Sequence, residues 1–222
     1  KTKNNQQLTS NLITYDNILN GLVRGKERVF EVSYTIEFYP EEGKYHYTGH
    51  RNCKVSYTPI DDKTRGTVCP VCKLELTVGV MHRVEDLAKY PESNFALEKD
   101  NNEVLWVKDP QNVKPPSVSL VPLLEILAEV YKTAPNSQKV LTVYDSLVNA
   151  LGSEHEILLR TNLDTIRQQA GPEVSEGVQK VRNRDISIIP GYDGEYGKVS
   201  IWNEKQKDAP ISAASDTQIG LI

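Results

Sequence analysis

Two short motifs, HRNC at residues 50–53 and CPVC at residues 69–72, constrain this chain more than any other feature. Each puts two metal-ligand side chains either side of a two-residue spacer, and fifteen residues separate the pairs. That spacing lets both donors of a pair converge on one ion from a tight turn, and two such turns suit tetrahedral zinc. The expected ligands are His50, Cys53, Cys69 and Cys72, with His46, four residues before His50, as the alternative fourth donor. Three thiolates and one imidazole leave no position open for an activated water, so one structural zinc ion is expected and no catalytic one. A redox CxxC pair is the competing reading. His82 and His155 read as surface or packing residues.

The cysteine count supports the same chemistry. Three cysteines in 222 residues are too few, and odd in number, for a secreted disulfide framework, whereas they suit a metal site in a reducing compartment. The sequence holds no apolar run near the roughly 18 to 20 residues that span a bilayer, and KTKNNQQLTSN lacks a signal-like apolar stretch. A cytoplasmic protein with no membrane partner is expected. A hydrophobic content of 38% permits an ordinary globular core. The start at Lys1 suggests a piece of something longer.

Hydrophobic patterning divides the chain into an α+β arrangement: a small zinc-binding β unit, then a mainly helical domain with a terminal β-hairpin. Residues 1–38 hold a short helix (Thr14–Leu22) and an alternating strand, RVFEVSYTIEF. Residues 39–90 form the zinc unit, with CKVSYTPI as a strand, DDKTRG as a polar turn, and a helix in which Val84, Leu87 and Ala88 share a face. Residues 91–116 read as a connection because Asn, Asp, Pro and Lys mix there without periodicity. Residues 117–203 place helices over about 120–131, 139–150, 154–159, 163–169 and 172–182, then strands ISII and KVSIW joined by PGYDGEYG. Residues 204–222 read as a flexible tail.

Charge is unevenly spread. The net charge of −4 argues against a wholly basic nucleic-acid binder, yet between Lys44 and Arg83 seven cations face only Asp61, Asp62 and Glu75. Such a local excess steers a polyanion because screening acts over about 8–10 Å. Arg51, Lys54 and Arg83 are therefore expected DNA contacts. Tyr45, Tyr47 and Tyr57, near Arg51, are of the type that stacks on an extruded base. The pair of helices around Ala170-Gly171-Pro172 is faintly like a helix-hairpin-helix, which would add Lys180, Arg182 and Arg184 to the DNA-binding set.

Three runs, TIEFYPEEGKYHYTGHRNC, CPVCKLELTVGVMHRVEDLA and EVSEGVQKVRNRDISIIPGYDGEYGKVSIW, resemble the carboxy-terminal half of endonuclease Q proteins. The resemblance covers roughly residues 13–202. It implies a parent that incises DNA beside deaminated bases such as uracil and hypoxanthine, and at abasic sites. It also implies an amino-terminal polymerase-and-histidinol-phosphatase (PHP) barrel whose divalent metals do the hydrolysis, and residues 1–38 resemble that barrel's last helix and strand. This sequence has no His-x-His or Asp-x-His pair of the kind that cluster needs, so no catalytic residue is assigned and the chain alone is expected to be inactive. One departure is Lys73, where the resemblance implies Gly after CPVC, so the knuckle turn is expected to be slightly strained.

The expected partners are damaged DNA, the PHP barrel, and a sliding clamp. The last reading comes from QIGLI at the end of the chain, which resembles clamp-docking peptides with Gln218, Leu221 and Ile222 as anchors. The alternative function is a protein-interaction module that docks the barrel or a clamp and touches little DNA. A third reading makes Glu37, Glu41, Glu42 and His46 the metal ligands of a complete enzyme.

Overall fold

The computed structural model describes residues 13–23, 29–88 and 95–202. It opens on helix α1 (Tyr15–Leu22), whose N-terminus is capped by Thr14 accepting from the Asn17 N–H at 3.2 Å. Strand β1 (Thr35–Glu37) follows, far shorter than the alternating run predicts. Pairing sets the limit: β1 lies parallel to β6 (Ser117–Ser119), in register from Thr35–Ser117 to Glu37–Ser119, and β6 spans only those three residues.

Between these two strands the chain makes the small metal-ligand unit and a hairpin. In the unit, β2 (Thr48–His50) pairs antiparallel with β3 (Val55–Tyr57). Helix α2 (Pro59–Arg65) occupies the predicted polar turn, because Thr58 and Asp61 form a reciprocal capping box and Pro59 suits the first helical position. Helix α3 (Val80–Leu87) forms as expected, but its predicted apolar face is not buried: Val84 is 43% and Leu87 61% exposed, and Met81 is the buried residue. Asp62, buried on α2, ties the unit together by accepting from Thr48 Oγ1 at 2.6 Å and lying 3.0 Å from His82 Nδ1.

Residues 91–116 contain more than a connection. Strands β4 (Ala96–Lys99) and β5 (Leu105–Lys108) form an antiparallel hairpin that extends the sheet to the order β1-β6-β5-β4. Its turn is built by Asp100, whose carboxylate accepts from the Asn102 and Val104 N–H groups and from Trp106 Nε1. A side chain acting on its own backbone supplies that turn, which hydrophobic periodicity does not register.

The helical part follows its apolar spacing closely. Helices α4 (Leu123–Tyr131), α5 (Gln138–Leu151), α6 (Glu154–Leu159), α7 (Leu163–Ala170) and α8 (Pro172–Arg182) surround Leu123, Ile126, Leu127, Val140, Ile157 and Ile166, all fully buried or nearly so. Ser137, Ser153 and Asn162 cap α5, α6 and α7 through their side-chain oxygens. Strands β7 (Ser187–Ile189) and β8 (Lys198–Ser200) close the fold as the expected antiparallel hairpin. The result is the α+β fold, with small sheets, eight helices among the described residues and a terminal hairpin.

Arg182 is a packing residue, which corrects its reading as a DNA contact. Its side chain is 1% exposed and donates to the carbonyls of Ile157, Leu158, Thr161 and Asn102 at 2.6–3.0 Å. Burial draws its pKa below the usual arginine value, against the attraction of Asp100 and Glu103. The guanidinium therefore stitches α8 to the C-terminal end of α6 and to the β4–β5 turn, where a cation complements the helix dipole.

The segment joining β7 to β8 does more than reverse the chain. Gly191, Gly194 and Gly197 donate to the carbonyls of Glu41, Lys44 and Glu42, while Gly191 accepts from the Tyr47 N–H. Asp193 accepts from the Arg51 N–H at 2.7 Å and from the Thr77 hydroxyl. A Cβ on Gly197 would collide with the Glu41 carbonyl oxygen, so only glycine permits this approach. The terminal hairpin is thus fastened to the metal-ligand unit.

Two outcomes follow. Arg182→Met is expected to lower the unfolding free energy by roughly 3 kcal/mol or more in urea titrations, because it strips four inward-facing carbonyls of their donor. Asp193→Ala is expected to speed amide exchange at Gly191 and Gly194 while leaving the α4–α8 core amides unchanged, which hydrogen-exchange mass spectrometry reads directly.

Candidate metal centre

His50, Cys53, Cys69 and Cys72 come together with one donor atom from each inside 4.8 Å of all the others. The geometry arises locally. His50 ends β2, a 3₁₀ turn over Arg51–Cys53 brings Cys53 back beneath it, and the β2–β3 register holds both. Opposite, the Val68–Glu75 bridge closes the second turn, with Cys69 N–H donating to Leu74 O at 2.8 Å and Lys73 N–H to Cys69 O at 3.0 Å. Each turn ends on a lysine in the left-handed region, Lys54 at φ 53° and Lys73 at φ 64°. The turn at Lys73 is thus strained as expected, by about 1 kcal/mol relative to an ordinary conformation.

Cys69 is fully buried, and Cys53 and His50 are half-buried. Burial alone would raise the Cys69 thiol, but the backbone N–H groups of Cys72 and Val71 and the His50 ring hold it down to about 6. Cys53 moves the other way, pushed up to about 11 by burial and by the neighbouring Cys72 and Cys69 sulfurs. Thiols this close oppose one another's ionisation, because like charges repel. A divalent cation removes that conflict. The donor set thus fits a metal ion, and all four donors are protein side chains, as in a closed structural site.

His46 is not part of the group. It is buried at 4% exposure, its ring tilted at 39° to that of Tyr47 with centroids 4.8 Å apart, and its pKa is lowered by burial against a hydrogen bond to the Pro40 backbone. His82 lies with Asp62 and Asp86, and His155 is exposed on α6. Among the described residues, Glu37, Glu41, Glu42 and His46 do not assemble into a metal-ligand group, so the third reading has no geometric support.

The remaining site expectations separate sharply. Arg51, Lys54 and Arg83 are exposed on the unit that carries the metal ligands. Lys63 and Arg65 are partly used within it, paired with Asp86 at 3.1 Å and Asp61 at 3.4 Å. Tyr57 is 5% exposed in the small core with Val55, Cys69 and Leu76, so it cannot stack on a base, whereas Tyr45 is 46% exposed. Lys180 pairs with Asp185 at 2.6 Å, and Arg184 lies over the Tyr39 ring, 6.0 Å from its centroid. Lys180 lies near the C-terminal end of α8, roughly 13 Å along the axis from the Gly171 turn, and Arg184 lies two residues beyond the helix, so neither is beside that turn. Gln218, Leu221 and Ile222 lie outside the described residues. The sequence marks Asp193 and Tyr196 only by their place in PGYDGEYG, which reads as an ordinary turn.

Residues 122–185, spanning α4 to α8, match the family described as the MJ0043 C-terminal domain. The uncharacterized protein MJ0043 of Methanocaldococcus jannaschii is 28% identical over 166 residues, 75% of this chain but 19% of that protein. Among solved structures, the lesion-specific endonuclease PfuEndoQ from Pyrococcus furiosus is 25% identical with a TM-score of 0.66, over 94% of this chain and 45% of that one. A structure of endonuclease Q in complex with a 27-mer duplex, carrying an abasic lesion at the active site, is 26% identical with a TM-score of 0.63, over 89% of this chain and 45% of that one. No helix among the described residues is long and apolar enough to cross a membrane. The chain is therefore similar to part of endonuclease Q, spanning less than half of that protein's length, and its segment from α4 to α8 matches the MJ0043 C-terminal domain.

Proposed function

We propose that this chain is the zinc-binding, DNA-binding region of a repair endonuclease that incises at deaminated bases, uracil and hypoxanthine, and at abasic sites. The observation that carries the reading is the likeness to endonuclease Q, one structure of which is in complex with a duplex substrate bearing an abasic lesion. In this reading the metal is one structural zinc held by His50, Cys53, Cys69 and Cys72, and it orders the surface that presents Arg51, Lys54 and Arg83. These cations contact phosphates and position the duplex, while the divalent metals and the hydrolysis belong to a PHP barrel of the parent protein. The chain alone binds DNA and does not cut it.

A second reading, a module that docks a barrel or clamp and touches little DNA, draws on exposed apolar side chains. Ile36 in β1 and Phe38 just beyond it are 39% and 73% exposed, and Leu22 on α1 is 62% exposed. Apolar area of that kind is typical of a docking face. The two readings differ in salt dependence, since phosphate contacts weaken steeply as salt rises and apolar docking does not.

Binding to a uracil-containing duplex and its undamaged counterpart across a salt series tests the first reading. A preference for uracil with a steep salt slope is the expected result. The double variant Lys54→Ala, Arg83→Ala should weaken both duplexes alike and reduce the slope by about 2. No binding to either duplex would favour the docking reading.

Elemental analysis of the purified chain should return one zinc per molecule. A strong chelator should remove the ion and unfold the β2–β3 unit, and Cys69→Ser should abolish retention of the metal. Circular dichroism with and without chelator, and metal content of the variant, check both points.

A further inference from the structure

Helices α4 and α8 pack side by side, and with Val199 of β8 and Trp202 just beyond it they border a groove of about 890 Å³. Glu125 and Glu129 stand one turn apart on α4, and Glu173 and Glu176 one turn apart on α8, so each helix lines the groove with a pair of carboxylates. Ala128, Val130, Val199 and the Trp202 ring give it apolar walls, and among the described residues Lys132 is the cation that lines it. The indole is held in place. Its Nε1 donates to Glu176 at 3.1 Å, and a Cβ on Gly177 would stand 3.1 Å from its Cη2, so the missing side chain lets the ring lie close on α8.

The fold uses two of the four acids: Glu129 accepts from the Ile201 and Trp202 N–H groups, and Glu176 from the indole. The Glu125 and Glu173 carboxylates accept no hydrogen bond and form no ion pair among the described residues. Burial and the nearby Glu42 both raise the Glu125 carboxyl, so the free chain holds these charges together at a cost. A face kept acidic only for solubility needs neither a concave floor nor a fixed indole. A cleft lined by charges of one sign on low-dielectric walls concentrates its field on an incoming counter-charge. Lys and Arg suit such a place, because their aliphatic stems lie on apolar surface while their heads reach carboxylates, and Arg also stacks on an indole.

We infer that this groove docks a short basic peptide segment of another protein, with an apolar side chain of the segment on Val199 and Trp202 and its Lys or Arg side chains reaching Glu125 and Glu173. Charge complementarity selects that occupant, since a lining of four acids and one cation attracts a cationic chain and turns away an acidic one. The volume lies within the range of about 300–1,000 Å³ that ligand sites occupy. The site stands apart from the DNA-binding reading, because the same charges repel phosphate, so either can fail without the other.

The test titrates the fluorescein-labelled peptides RKLRK and QQLQQ with the full chain by anisotropy. RKLRK should bind about tenfold more tightly than QQLQQ. Glu125→Gln combined with Glu173→Gln, two carboxylates the fold does not use, should weaken RKLRK about tenfold, while Lys54→Ala combined with Arg83→Ala should leave it within about twofold of wild type. Unchanged thermal unfolding of the variants keeps loss of binding separate from loss of fold. Equal affinity for the two peptides, or unchanged RKLRK affinity in the Glu125, Glu173 double variant, overturns the site. Two other occupants have their own signatures. A rise of more than about threefold in RKLRK affinity in Lys205→Gln combined with Lys207→Gln identifies the chain's own carboxy-terminal segment. A dimer in sedimentation velocity that the Glu125, Glu173 double variant dissolves identifies a second copy of the chain. Either result overturns a separate partner as the occupant.

Discussion

The convergence of four donor side chains governs the first half of the fold because little else there can. The buried cluster of that unit consists of Val55, Tyr57, Cys69 and Leu76, with Cys53 packed against it, so two of its five members are themselves metal ligands. Ordering roughly fifty residues costs far more conformational entropy than so small an apolar cluster offsets. The capping box on α2 and the Thr48–Asp62–His82 contacts add local order, but they link elements to one another without supplying a core. A cation shared by three thiols and an imidazole, as proposed above, would supply what the apolar residues cannot.

Order at that centre propagates through the β7–β8 segment. Its glycines lie on the Glu41–Lys44 backbone, Tyr192 packs over Gly49, and Asp193 holds the backbone of Arg51, the residue next to His50. Asp193 stays ionised below the usual carboxylate range: burial works against it, and the bonds from Thr77 and Arg51 outweigh that cost. The metal-ligand turns and the terminal hairpin therefore form one connected body, which is fastened to α4 where Glu129 accepts from the Ile201 and Trp202 N–H groups just beyond β8.

What could be read from the sequence was what has a local or periodic cause. The ligand quartet followed from spacing, and the helices from α4 to α8 followed from apolar periodicity and from caps such as Ser137 and Asn162. What escaped depended on side chains acting over long separations or on their own backbone. Asp100 folds the β4–β5 turn inside a stretch without periodicity, and Thr58 with Asp61 converts an apparent polar turn into a helix. Arg182 shows the limit most clearly. A charged residue near a helix terminus reads as solvent-facing, and only the tertiary fold brings the carbonyls of Ile157, Leu158, Thr161 and Asn102 around it.

The distribution of charge over the finished fold is compatible with the proposed engagement of a polyanion by an acidic chain. The groove between α4, α8 and β8 is lined by Glu125, Glu129, Glu173 and Glu176, with Lys132 as its cation. Two of these acids serve the fold, Glu129 accepting from the Ile201 and Trp202 N–H groups and Glu176 from Trp202 Nε1. Burial and the nearby Glu42 raise the Glu125 carboxyl. That face repels phosphate at the distances over which charge acts in physiological salt, while Arg51, Lys54 and Arg83 attract it on the metal-ligand unit. If a duplex binds as proposed, these charges would orient it before any specific contact, because the net charge of −4 hides an acidic groove on the helices and exposed cations on the metal-ligand unit.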